Sequence, residues 1–136
     1  MWYKTREIPK TKNHQLVPGE SLMTPQEYLT SNGRFLFLYG VIMSYPQRID
    51  SYNTSYLIDS MMAMVHEDPY APIKLVIDSE GGDIDSGLQV YDTIKSLPCP
   101  VYTIGRSCVS MAAVLFAAGQ NGYRYMYENS RLMLHL

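Results

Sequence analysis

A serine and a histidine in the last third of this sequence are the residues whose types and positions suit catalysis. Ser110 directly precedes a short apolar segment, residues 111–118, and His135 follows the apolar residues 132–134. A serine hydroxyl becomes a nucleophile when a nearby base removes its proton. Histidine is the usual base because its unperturbed pKa lies near neutrality. The pair therefore predicts nucleophilic chemistry on an acyl group.

Each of these residue types also has a structural interpretation. A serine at a helix start is a favoured N-cap, and a single histidine that ends an apolar strand is commonly a hydrogen-bonded structural residue. Cys108 is a second candidate nucleophile, although a free cysteine also packs as a small hydrophobic residue. His14 and His66 lie in polar segments, where we expect them to be solvated. Asp83 and Asp85 are interpreted as acids at a helix N-terminus.

A glycine pair provides a second element of a possible site. Gly81 and Gly82 follow the continuous apolar run at residues 74–78. Open α/β sheets bind ligands at the carboxyl ends of their strands, and glycine lets a backbone approach a substrate closely. The alternatives are a tight turn between a strand and a helix, or a phosphate-binding loop. The phosphate loop is poorly supported because neither a Walker spacing nor a dinucleotide fingerprint is present.

The hydrophobic pattern predicts the elements that would hold these residues. Leu57, Met61, Met64 and Val65 share one face of a helix predicted over residues 51–66. Further helices are predicted where Ile84, Leu88, Tyr91 and Ile94 recur, and from Ser110 to a C-cap at Gly119. Strands are predicted over residues 34–39, 74–78, 101–104, 124–127 and 132–135. This alternation predicts an α/β fold with a mainly parallel sheet.

Composition narrows the functional classes. The chain has 136 residues, of which 46% are hydrophobic, and this length fits one domain. Its formal charge of −2 argues against a nucleic-acid partner, and no apolar run is long enough to cross a membrane. No signal peptide is recognised. Cys99 and Cys108 are too few for a disulfide framework and lack metal-site spacing, so we expect no metal, no cofactor and a reducing, cytoplasmic compartment.

The N-terminal part is predicted to be an arm rather than part of the core. Residues 1–33 are largely polar and contain the turn signal Pro18-Gly19. Pro25 is predicted to occupy the first position of a short helix, and Asn32-Gly33 to form the last turn before the core. The core domain is predicted to cover residues 34–136.

Three motifs in order resemble the proteolytic subunit of the Clp protease family. Residues 79–82 with residues 87–94 resemble its glycine loop and following helix, and Ser110-Met111 falls where that family has its nucleophile. Arg124, Glu128 and residues 132–135 resemble its histidine signature. The resemblance runs from residue 34 to the end and implies a ClpP/crotonase-like fold.

The resemblance also implies roles and partners. Ser110 would be the nucleophile and His135 the base, and the backbone amides of Gly82 and Met111 would form the oxyanion hole. The family's subunits form seven-membered rings that stack around a chamber, and an ATP-driven unfoldase delivers unfolded proteins to it. The location implied is cytoplasmic, with the plastid stroma as the alternative.

Several positions depart from the family pattern. Glu80 stands where the family has proline, Cys108-Val109 replaces a pair of alanines, and Ala112 replaces a glycine. The spacing from the preceding strand to Ser110 is one residue shorter than in the family. The family has a catalytic aspartate and a ring-joining helix well after the histidine, so we interpret residues 34–136 as a C-terminally incomplete domain with weak activity alone.

Three functions remain open on the sequence. The first is a serine endopeptidase subunit of a Clp-type ATP-dependent protease. The second is a non-catalytic Clp-like assembly subunit or an inactive fragment. The third is a crotonase-like enzyme that uses a similar oxyanion hole on acyl thioesters, against which the presence of Ser110 with His135 argues.

Overall fold

Four parallel strands form the centre of the protein. The computed structural model describes residues 24–43 and 54–135, and the sheet order follows the chain order β1-β2-β3-β4. The strands are β1 (Phe35–Ile42), β2 (Ile73–Gly82), β3 (Val101–Val109) and β4 (Arg124–Met133). Adjacent strands are parallel throughout, and Ile73 of β2 pairs with Val101 of β3. The predicted α/β class with a parallel sheet is therefore confirmed.

Helices precede or connect these strands. They are α1 (Pro25–Gly33), α2 (Thr54–Glu67), α3 (Ile84–Ser96) and α4 (Met111–Ala117). Pro25 opens α1 as predicted, while Asn32-Gly33 belongs to the last helical turn rather than to a separate turn. Residues 1–23 lie outside the described part, so the arm at residues 1–33 stays a prediction. Among the described residues, no helix is both long and apolar enough to span a bilayer.

The core lies between the sheet and α2, α3 and α4. Leu57, Met61 and Met64 are buried on one face of α2, as predicted, whereas Val65 is only partly buried. Removing apolar side chains from water supplies most of the driving force for this packing. The largest fully buried side chains in the described part include Leu36, Leu38, Leu75, Ile77, Val90 and Leu115.

The predicted face of α3 is partly wrong. Ile84 and Leu88 are 64% and 44% exposed. The buried positions of this helix are Ser86, Gly87, Val90 and Ile94. Gly87 lies against Met111 of α4, a close approach of two helices that a hydrophobic pattern cannot reveal.

Two strands continue beyond their predicted ends. The loop predicted at residues 79–82 belongs to β2, where Gly81 and Gly82 pair with Val41 and Ile42 of β1. The Ser79 hydroxyl supports this extension by donating a hydrogen bond to the carbonyl oxygen of Gly40. Strand β3 likewise runs past residue 104 to Val109. Both strands therefore deliver their last residues to the same edge of the sheet.

The two strands predicted near the end of the sequence are one strand with a bulge. Opposite an irregularity in β3, the partner in β4 moves from Met126 to Arg131, and the residues between are looped out. The Ser130 hydroxyl closes this excursion, since it donates to the Gly105 carbonyl and accepts from the Tyr127 N–H, each at 3.0 Å. After the bulge, β4 pairs with β3 again from Arg131 to Met133, the residues that lead to His135.

Arg34 joins α1, α2 and the start of the sheet, which makes its removal a test of the fold. Its guanidinium donates to the carbonyl oxygens of Met64 (2.7 Å), Asp68 (3.0 Å) and Ala71 (3.0 Å). We expect Arg34→Ala to lower the free energy of unfolding by about 2–4 kcal/mol, because charged hydrogen bonds to three carbonyls are lost. Urea denaturation measures this change. Arg34→Lys should restore only part of it, and a loss below about 1 kcal/mol for Arg34→Ala would contradict this role.

Candidate active site

Ser110 occupies a strained turn between β3 and α4. Its backbone angles are φ 56° and ψ −123°, a combination that favours glycine and is uncommon for other residues. Holding serine in such a conformation costs on the order of 1–3 kcal/mol, and residues of this kind concentrate at functional sites. A sharp strand-to-helix turn of this type presents a nucleophilic side chain at the edge of a sheet.

The Ser110 hydroxyl does not cap α4. Ser110 is at the N-cap position, but its side chain makes no capping hydrogen bond. Its backbone is held on both sides, since its N–H donates to the Met133 carbonyl (2.8 Å) and its carbonyl accepts from the Ala113 N–H (3.0 Å). The capping interpretation is therefore wrong, and two backbone hydrogen bonds hold this serine in place.

The segment that carries His135 reaches the same edge of the sheet as Ser110. The hydrogen bond between the Ser110 N–H and the Met133 carbonyl joins the ends of β3 and β4. His135 follows Met133 by two residues and is exposed. Parallel strands place their carboxyl ends together, and ligands bind at such edges. A hydrogen bond between the Ser110 hydroxyl and the His135 ring stays a prediction.

Gly81 forms the close contact between β2 and Ser110. Gly81 is buried with φ 87°, and a Cβ at this position would lie 2.7 Å from the Val109 oxygen, 2.9 Å from Ser110 Cβ and 3.0 Å from the Met111 nitrogen. Any side chain there would push β2 away from the turn. Sequence reasoning attributed the glycine pair to substrate approach and missed this packing role of its first member.

The two glycines have different environments. The Gly81 N–H donates to the Ser79 hydroxyl oxygen at 3.1 Å, so this donor is already used inside the protein. Gly82 is exposed and lies opposite Ile42 of β1, whose oxygen would be 2.3 Å from a Cβ on Gly82. Of the pair, Gly82 is therefore the residue that faces solvent at the strand end. The role of Ser79 in binding the Gly81 amide was also missed. Its position directly before Glu80 and the glycines was the only feature of the sequence that indicated this role.

Met111 combines an available backbone amide with a buried side chain. It is the first residue of α4, where the N–H has no acceptor within the helix. Its side chain is only 5% exposed and packs against Gly87 of α3. The amide thus lies beside Ser110 and Gly81, while the side chain anchors it in the core.

Cys108 is not a competing nucleophile. Its side chain is fully buried and its sulfur lies 4.0 Å from the Ile77 carbonyl oxygen. Burial, and secondarily the Asp78 carboxylate, raises the pKa of the Cys108 thiol to about 11. Because only the thiolate attacks, this cysteine is inert near neutral pH.

Two acidic residues near the site have structural roles. The Asp83 carboxylate caps α3. The hydrogen bond from the Ser86 hydroxyl, and to a smaller extent the one from the Ser86 N–H, lower the pKa of this carboxyl. Glu80 forms an ion pair with Arg131 at 3.2 Å, with the side chains 67% and 59% exposed. Exposed pairs contribute about 0–1 kcal/mol. Within the described ranges, no three His, Cys, Asp or Glu residues group as metal ligands.

Comparisons with known proteins agree with the resemblance noted in the sequence. The sequence model of the Clp protease family matches residues 30–136. The chain is similar to ATP-dependent Clp protease proteolytic subunit 1 of Chlamydia felis, with 44% identity over 81 residues. It is equally similar to proteolytic subunit 2 of Chlamydia abortus. Each match covers 58% of this chain and 39% of the relative's length.

The buried state of Cys108 can be tested by thiol modification. In a Cys99→Ser variant at pH 8, we expect Cys108 to react with Ellman's reagent on the order of 100-fold more slowly in the folded protein than in urea. The reason is that its raised pKa leaves almost no thiolate and its sulfur is inaccessible. Modification of the folded variant at the rate seen in urea would return Cys108 to the list of candidate nucleophiles.

Proposed function

This chain belongs to the Clp protease family, and we propose that it is a serine-type endopeptidase subunit of a Clp-type, ATP-dependent protease. Its α/β architecture is the ClpP/crotonase-like fold of that family. One observation carries the proposal: Ser110 is held in a glycine-type conformation while its hydroxyl takes no part in capping. A strained serine whose hydroxyl does not cap the helix is suited to nucleophilic attack.

In the proposed mechanism, His135 accepts the hydroxyl proton as Ser110 Oγ attacks the carbonyl carbon of a peptide bond. The tetrahedral oxyanion accepts hydrogen bonds from the N–H groups of Gly82 and Met111. His135 then protonates the leaving amine, and water hydrolyses the acyl-enzyme by the reverse proton transfers.

The structure supports these amide roles through the neighbouring contacts. The Gly81 N–H is engaged by Ser79, which leaves the exposed Gly82 as the donor from the glycine pair. The Met111 nitrogen lies beside Ser110 at the helix start, where intrahelical acceptors are lacking. In acyl-transfer enzymes, one such donor contributes on the order of 10²–10³ in kcat.

The proposed setting is a multi-subunit protease. We propose that Clp subunits assemble into seven-membered rings and that an ATP-driven unfoldase supplies unfolded proteins, in the cytoplasm or alternatively the plastid stroma. Exposed apolar side chains at the end of β4 would suit burial against other subunits. These are Leu132 (53% exposed), Met133 (42%) and Leu134 (71%).

The second candidate function is a non-catalytic subunit with an assembly role. It is favoured by Glu80, a charged residue directly before the glycine pair and paired with Arg131. Both candidates would share the fold and the contacts between subunits, so the reactivity of Ser110 is the property that tests them against each other.

A fluorophosphonate probe tests the proposed nucleophile. We expect it to label Ser110, with the adduct located by peptide mass spectrometry, and Ser110→Ala to abolish labelling. His135→Gln should slow labelling by about 10³-fold or more, because the base is lost. The matched control is Ser107→Ala, which changes a serine three residues upstream and should preserve the labelling rate. A folded protein whose Ser110 stays unlabelled would instead support the non-catalytic function.

The proposed Gly82 donor can be tested by replacing its amide N–H with an ester oxygen through semisynthesis. This change removes the donor without adding a Cβ, which would clash with Ile42. We expect the rate of Ser110 labelling to fall by about 10²-fold or more. The same replacement at Gly122, whose Cβ position has no neighbour within 4 Å, is the control. An undiminished rate after the Gly82 change would exclude this amide from the oxyanion hole.

A further inference from the structure

We propose that Gly87 is a positioning residue: its contact with the Met111 side chain sets the spacing between the two oxyanion-hole amides, those of Gly82 and Met111. The inference rests on the proposed function, because it concerns the same amides. It assigns a role to a helix residue that touches neither the nucleophile nor the substrate.

The contact between Gly87 and Met111 leaves no room for a side chain at position 87. A Cβ on Gly87 would lie 2.3 Å from Met111 Cγ, 2.8 Å from Cε and 3.0 Å from Sδ. The Met111 side chain therefore lies directly on the bare backbone of α3, where it is almost completely buried. Glycine inside a helix is less stable than alanine, and the close packing of Met111 explains why α3 has glycine at position 87.

Backbone hydrogen bonds connect Gly87 to the Gly82 side of the site. The Gly87 N–H donates to the Asp83 carbonyl at 3.1 Å, and the Asp83 N–H donates to the Ile42 carbonyl at 2.9 Å. Asp83 directly follows Gly82 and also caps α3. The first turn of α3 is thus fixed relative to the end of β2.

Met111 provides the connection from the other side. Its nitrogen would be 3.0 Å from a Cβ on Gly81, so the amide is held between the glycine pair and its own anchored side chain. The two proposed donors are far apart in sequence: Gly82 ends β2 just before α3, and Met111 begins α4. The contact between Gly87 and Met111 joins these helices directly, which is why it controls the distance between the amides.

A methyl group at position 87 would disturb this arrangement. Ordinary contact begins near 3.4 Å, so Met111 Cγ would have to move by about 1 Å. Because Cγ is only two bonds from Cα, the displacement reaches the backbone amide instead of being absorbed by the end of the side chain. Misplacing reacting groups by about 1 Å costs on the order of 10²-fold in rate.

A double-mutant cycle on the 136-residue chain tests the proposal. The variants are Gly87→Ala, Met111→Ala and the combination of both. One readout is the position of the Gly82 and Met111 amide resonances in ¹H–¹⁵N NMR spectra, and the other is the fluorophosphonate labelling rate of Ser110 per folded molecule. We expect Gly87→Ala to shift both amide resonances and to slow labelling by about 10-fold or more.

The shortened side chain at position 111 should remove the effect of the added methyl. In the Met111→Ala background, Gly87→Ala should therefore change the labelling rate less than about 2-fold. Gly119→Ala is the matched control, because a Cβ there would be equally close, 2.3 Å from Thr103 Oγ1, at the opposite end of α4. It should lower stability and leave the labelling rate of the folded protein unchanged.

The two hypotheses fail in different ways. An unlabelled Ser110 in the unmodified chain would refute the proposed function, and the amide resonances would still decide the role of Gly87. Unshifted Gly82 and Met111 amides in folded Gly87→Ala, or slowing that persists fully in the Met111→Ala background, would overturn the positioning role. If Gly87→Ala does not fold, the single variant Met111→Ala tests the positioning role. Loss of the Met111 side chain should shift the Gly82 amide resonance, and an unshifted resonance would overturn the proposal.

Discussion

The close approach of β2 to the turn before α4 is the constraint on which the candidate site depends. It requires glycine at position 81, because a Cβ would meet the Val109 oxygen and Ser110 Cβ at less than 3 Å. The same approach places the Met111 nitrogen beside the end of β2. A backbone contact of this kind cannot adjust by rotating a side chain, so the geometry around Ser110 is fixed by the main chain.

Parallel pairing extends this constraint to the histidine. Strands β2, β3 and β4 end at the same edge, and the hydrogen bond from the Ser110 N–H to Met133 fixes the end of β4 against the turn. The bulge closed by Ser130 is necessary for this match, because it brings Arg131 into register with β3 after the looped-out residues. Sheet register therefore brings the end of β4 to the turn before α4, although Ser110 and Met133 are 23 positions apart in sequence.

The sequence predicted the fold class more reliably than it predicted how the elements pack against one another. Apolar runs identified the central strands because residues 75–77 of β2 are buried on both faces, while residues 101–104 of β3 alternate between buried and half-buried. The same reasoning ended β2 too early, because the polar residues Ser79 and Glu80 are typical of loops. The strained conformation of Ser110 and the engaged amide of Gly81 depend on contacts between elements, which no local pattern contains.

The strain at Ser110 also bears on the choice between a catalytic and an assembly subunit. An assembly role alone would be served better by glycine at position 110, which adopts φ 56° without the cost of about 1–3 kcal/mol that serine bears. The glutamate at position 80, where the family has proline, does not weigh against this argument. Its carboxylate is exposed and pairs with Arg131, and β2 stays paired with β1 as far as Gly82. Serine in a conformation suited to glycine, with its hydroxyl not used for capping, is explained if that hydroxyl acts in chemistry, as proposed. The balance of these costs therefore favours the catalytic function.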